Sequence, residues 1–168
     1  DGSGTRISRI YENLGADSFA ALPLSLSPAA DGDAEWGDYD NDGDLDLLMT
    51  DGANGGTDLY RNDGGGAFTE VTTPFPALPV QGGDWGDYDN DGDLDLVVTA
   101  GVDGTSATAA IFQNDGTGTF TDIGASLTGV NRGTAEWGDY DGDGDLDLVI
   151  TGDTEGSGLS PRVYRNDA

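Results

Sequence analysis

Cysteine, histidine and lysine are all absent from this 168-residue chain. Without histidine the commonest general base is missing, and without cysteine there is no thiol nucleophile and no disulfide. No run of about 18 apolar residues occurs, so no membrane-spanning helix is expected. There is no Asn-x-Ser/Thr sequon. Six arginines face 33 acidic residues, for a net charge of −27. A surface of that sign repels nucleic acid and anionic membranes, which both need a basic face, so neither is an expected partner. An acid-rich chain without lysine also suits a high-salt habitat. The sequence begins at Asp1, not Met, and the expectation is a processed chain or an excised piece.

The acid is concentrated. Asp38-Tyr39-Asp40-Asn41-Asp42-Gly43-Asp44-Leu45-Asp46 places five carboxylates in nine residues, and the run recurs as Asp87 to Asp95 and Asp139 to Asp147. At contact distance each like-charge pair costs about 1 kcal/mol even at water's dielectric constant. Carboxylates at the first, third and fifth positions suit a tight loop around a hard cation, and glycine at the sixth allows the sharp turn. So many protein carboxylates favour calcium over magnesium, and three calcium sites are expected. The bland alternative is a set of solvated acidic turns, which leaves the threefold repetition unexplained. An EF-hand needs glutamate at position 12, where this chain has Met49, Val98 and Ile150. The short-period nonapeptide of calcium β-helices is absent.

A period near 50 residues governs the chain. Tyr11, Tyr60, Phe112 and Tyr164 are equivalent, as are Asn13, Asn62, Asn114 and Asn166, and also Trp36, Trp85 and Trp137. Four short strands and no helix are expected per unit. Strand A carries the Trp, as in 34–37. Strand B follows the acidic loop at 45–50, 94–99 and 146–151, and strand C lies at 58–61, 110–113 and 162–165. Strand D lies at 67–72 and 119–123, after Asn-Asp-Gly turns. The apolar triplets 47–49, 96–98 and 148–150 imply burial on both faces, and with the Trp residues they read as packing between neighbouring units. Residues 5–13 resemble a further strand C, and Phe19 opens a further strand D.

The expected fold is all-β, with three four-stranded antiparallel propeller-type blades in one repeat domain over 1–168. The units run over about 14–62, 63–114 and 115–166, with 1–13 a surplus strand-like segment. Three blades are fewer than closed propellers use, so the expectation is an incomplete ring or open stack completed by self-association. A terminal strand that completes a neighbour's sheet would give a homo-oligomer or a filament.

The motif Asp-x-Asp-x-Asp-Gly-x-x-Asp before an apolar strand, repeated in β-rich units, resembles the FG-GAP/VCBS repeat family. That family includes the calcium-bearing blades of integrin α-subunit propellers and many secreted bacterial proteins. The resemblance implies side-chain ligation by Asp38, Asp40, Asp42 and Asp46, with Asp44 giving its backbone carbonyl. It implies the same of Asp87, Asp89, Asp91 and Asp95 with Asp93, and of Asp139, Asp141, Asp143 and Asp147 with Asp145. Gly142 departs from Asn41 and Asn90 at a position where no ligand is implied.

No catalysis is expected. The clustered carboxylates belong to the loops, and the acids before each Trp (Glu35, Asp84 and Glu136) repeat in a way that suits structure. The expected function is an extracellular, calcium-binding, self-assembling structural protein. The alternative is an adhesive or lectin-like binding module, excised from a larger secreted β-propeller protein, that shows its variable connections 51–58, 101–109 and 152–160 to a glycan or protein ligand, with Thr105, Ser106 and Thr108 as polar contacts or O-glycan acceptors.

Overall fold

The computed structural model describes residues 5–53, 55–75, 79–101, 107–154, 158–159 and 161–167. Most of the second variable connection, with Thr105 and Ser106, and parts of the other two lie outside the described residues. Among the described residues every element is a strand: β1 Tyr11–Gly15, β2 Ser18–Ala21, β3 Ala34–Gly37, β4 Asp46–Thr50, β5 Thr57–Asn62, β6 Phe68–Val71 and β7 Val80–Gly86. The chain continues through β8 Asp95–Ala100, β9 Thr108–Asn114, β10 Phe120–Asp122, β11 Asn131–Gly138, β12 Asp147–Thr154, β13 Gly158–Leu159 and β14 Arg162–Tyr164.

Two complete antiparallel sheets form in the orders β3-β4-β5-β6 and β7-β8-β9-β10. The third corrects the expectation of three equal four-stranded blades. Both β13 and β14 pair with β12, through Asp153 with Leu159 and through Leu148 with Tyr164, so that they share one strand position. Pro161, which lacks an N–H, stands between them and breaks the ladder. β1 and β2 form a separate hairpin. Its first strand begins only at Tyr11, so residues 5–10 of the expected surplus strand lie outside it.

The apolar triplets of the first two sheets are buried because those sheets are packed on both sides; in the third, Leu148 and Ile150 are buried and Val149 is only half-buried. Leu96 and Val98 meet Leu48, Leu59 and Tyr39 of the first sheet, while Val97 points the other way to join Leu148 and Ile150. Leu47 and Met49 close against Ile10, Leu26 and Ala29. Trp85 stacks on Tyr39 at 6.3 Å and Trp137 on Tyr88 at 5.9 Å. Glycine provides the seat. A Cβ on Gly37 would lie 2.8 Å from Trp85, and one on Gly86 would lie 2.7 Å from Trp137. Trp36 is the exception to the packing expectation, for it lies about half exposed, tilted against Phe68.

One of the acids before the Trp residues also serves the packing. Asp84 Oδ2 accepts the Trp137 backbone N–H at 2.8 Å, which ties the second sheet to the third. Leu96→Ala, in the first core, should cost about 3 kcal/mol in urea unfolding, since a fully buried leucine leaves a cavity. Val163→Ala, at a 60 % exposed position of β14, should change stability by less than about 0.5 kcal/mol.

Candidate metal centres

Each acidic loop connects the first two strands of its sheet and is shaped by its own aspartates. The first of them acts as a cap: Asp38 Oδ1 and Oδ2 accept the N–H groups of Asp42 and Gly43, both at 3.0 Å. Asp87 does the same for Asp91 and Gly92, and Asp139 for Gly142 and Gly144. The fourth position is left-handed in every loop, with φ of 58° at Asn41, 60° at Asn90 and 79° at Gly142. Asn and Gly are the residues that tolerate this conformation, which explains the departure at Gly142.

The fold gathers three carboxylates in each loop, with ligand oxygens within 4.8 Å of one another: Asp38, Asp40 and Asp42; Asp87, Asp89 and Asp95; Asp139, Asp141 and Asp147. Asp46 falls outside the first group, as Asp91 does for the second and Asp143 for the third. Asp44, Asp93 and Asp145 stand apart as well, and the last two give their carboxylates to side chains of the preceding loop. The donor set fits a hard divalent cation. Asp40 Oδ1 and Asp89 Oδ1 are buried without a hydrogen-bond partner, and a carboxylate oxygen in that state calls for a positive charge.

The aspartates at the ninth position do a second job. Asp46 accepts the N–H of Tyr39 at 3.1 Å and of Asn62 at 2.7 Å, so it joins the loop to strand β5. Asp95 and Asp147 repeat the bonds with Tyr88 and Asn114, and with Tyr140 and Asn166. All three are buried. Burial pushes Asp46 and Asp95 up to about 6, despite the two backbone N–H groups that hold each pKa down. A cation in the loop acts in the opposite sense and favours the ionised form.

Strand C supplies a further side chain to the aspartate at the third position of two loops. Gln113 Nε2 donates to Asp89 Oδ2 at 2.6 Å. At the equivalent position Arg165 lies 3.2 Å from Asp141 and 3.4 Å from Asp143, so the third loop already holds a positive charge. Arg61 is drawn instead to Asp63, at 2.7 Å.

Two sets of residues with structural roles at the loops are missed by sequence reasoning. Tyr39 and Tyr88, at the second loop position, carry the stacking against the following Trp. Their signal is a tyrosine three residues after each Trp. The asparagines that end strand C, noted above as turn markers, hold the loops with their carboxamides. Asn114 Nδ2 reaches Leu94 O at 3.1 Å and, across the sheet boundary, Tyr39 O at 2.7 Å. Asn62 Nδ2 reaches Leu45 O at 3.0 Å, within its own sheet. Asn114→Ala should therefore cost about 3 kcal/mol and Asn62→Ala about 1 kcal/mol, measured by urea unfolding in chelator so that no metal contributes.

No curated protein matches the chain at a significant level. The pattern of the FG-GAP-like repeat matches twice, over residues 38–98 and 87–150, and each match holds two successive acidic loops with the strands after them. Those matches cover more than half of the sequence, and the chain belongs to the FG-GAP-like repeat family.

Proposed function

We propose that the chain is a calcium-binding structural module whose sheets are arranged as propeller-type blades and whose three acidic loops each bind one calcium ion. The observation that carries this reading is the carboxylate triad repeated at one place in all three sheets, with a partnerless buried oxygen in two of them. The ion would neutralise the crowded charge and brace the hairpin it closes. Asp38, Asp40 and Asp42, with their equivalents, would hold it, joined by Asp95 and Asp147. The metal is structural, and the chain is not an enzyme. Loops of this kind bind with Kd of roughly 10⁻⁴ to 10⁻³ M, a range that suits calcium levels outside the cell.

Calorimetric titration should find three ions per chain. At about ten times Kd each site contributes about 1.4 kcal/mol, so calcium should raise the thermal midpoint by about 10 °C over chelator. No heat of binding and an unchanged midpoint would sink the proposal. Arg165 competes with the ion in the third loop, so Arg165→Gln should tighten that site about tenfold.

Self-association extends the proposal. Val163 pairs with Val149 as Leu59 pairs with Leu48 and Ile111 with Val97. The earlier pairs are covered by the next sheet, whereas Val163 is 60 % exposed. A second copy stacked there would form a head-to-tail contact, which propagates unless it closes. Light scattering in millimolar calcium should show oligomers that Val163→Glu abolishes. A monomer in calcium would remove this extension and leave the metal sites untouched.

One observation favours a binding module instead. A cleft of about 620 Å³ is lined by Arg9, Tyr11, Asp33, Trp36 and Met49. An exposed indole beside polar groups is a surface on which a sugar ring stacks. Quenching of tryptophan fluorescence by oligosaccharides, lost in Trp36→Ala, would move the assignment to this reading.

A further inference from the structure

The acidic loops are joined to one another. Asn41 Nδ2 of the first loop donates to Asp93 Oδ1 of the second at 2.7 Å, and Asn90 Nδ2 donates to Asp145 Oδ1 of the third at 2.8 Å. A second bridge lies beside each. Asn114 binds both Tyr39 O and Leu94 O, and Asn166 binds Tyr88 O at 2.8 Å and Leu146 O at 3.3 Å. Asp93 and Asp145, which receive the carboxamides, are half-buried, whereas Asp44 is exposed.

We propose that the three loops bind their cations cooperatively, with Asn41 and Asn90 as the positioning residues that couple them. This rests on the calcium reading above. Asn41 stands between Asp40 and Asp42, so a cation that draws those two carboxylates together fixes the direction of its carboxamide. The carboxamide in turn holds Asp93, whose backbone carbonyl sits at the seventh position of the next loop. Linkage makes the effect reciprocal, and the second loop strengthens the first by the same factor.

Direct electrostatics oppose this, because an ion in one loop removes negative charge that attracts the next. The first and third loops are mostly exposed and the second is mostly half-buried, and at physiological ionic strength the screening length is about 8 Å. Salt therefore weakens the repulsion, while the hydrogen-bonded contact persists. The third loop has Gly142 at the coupling position and so lacks a carboxamide to pass on. Since the backbone there is left-handed in all three loops, Asn→Gly removes the side chain without straining the turn.

The test is a calcium titration followed by NMR at the amides of Gly43, Gly92 and Gly144, each of which donates to the first aspartate of its own loop. Disabling the first loop by Asp40→Ala should raise the calcium midpoint at Gly92 about fivefold, the lower end of usual couplings. In an Asn41→Gly background the same Asp40→Ala should leave Gly92 unmoved, which is the signature of a coupling routed through Asn41. Asn90→Gly should likewise separate Gly144 from Gly92. If Asp40→Ala shifts Gly92 equally in both backgrounds, Asn41 is not the coupler. If each glycine responds to calcium but Gly92 ignores the first loop throughout, the coupling is overturned and the calcium sites stand. Silence at all three glycines in millimolar calcium would overturn both readings.

Discussion

The structure depends on a buried carboxylate at the start of each central strand. Asp46, Asp95 and Asp147 lie where the acidic loop becomes strand B, and both oxygens of each are taken by backbone N–H groups. One donor comes from the loop and the other from the end of strand C. A single side chain thus fixes the hairpin, the register of the third strand and the position of the loop. Placing a charge there is expensive, as the upward pKa shifts of Asp46 and Asp95 show. Apolar residues could fill the volume, but they would leave two backbone donors unmet in every sheet.

That arrangement explains why the sheets stack with a fixed polarity. With its base held, the loop turns its tyrosine towards the following sheet, where Tyr39 meets Trp85 and Tyr88 meets Trp137. The glycine after each Trp of the preceding sheet leaves room for the incoming indole. Asp84 then fastens the Trp137 backbone. Every contact runs from one unit to the next in sequence order. Packing of this kind is nearest-neighbour, and stability rises with each unit added.

Much of this was legible in the sequence because its signals are local or strictly repeated. Strands β4, β8 and β12 lie within a residue or a few of the expected positions, since an apolar triplet flanked by an acidic loop and a turn leaves few alternatives. The carboxylates of Asp38, Asp40 and their equivalents lie close together, as their spacing implies. Other features depended on distant partners. The bonds of Asp46 reach Asn62, sixteen residues away, and no composition reports that. The exposure of Trp36 could not be read from a residue whose two equivalents are packed. The split of β13 from β14 needed the ladder to show that Pro161 interrupts one strand position.

The loops and the cores make opposite demands, and the fold keeps them apart. The cores require close approach between sheets, with seats as tight as the one Gly86 offers Trp137. The loops require that three clusters of five aspartates not repel the sheets apart. Setting the acid at the strand ends, outside the packed faces, leaves most of it in full or partial contact with solvent, where repulsion is weaker. Only the aspartate at the ninth position is buried as a whole, and it is the one with two backbone donors waiting. The asparagine bridges occupy the boundary between these regions. They are neutral, they donate to carboxylates and carbonyls, and they let adjacent acidic loops touch through hydrogen bonds instead of like charges. A lysine in their place would make a stronger pair with an aspartate but would also set a positive charge inside the acidic cluster, as Arg165 does in the third loop. A chain without lysine, with asparagine at the contacts between acidic loops, answers both demands.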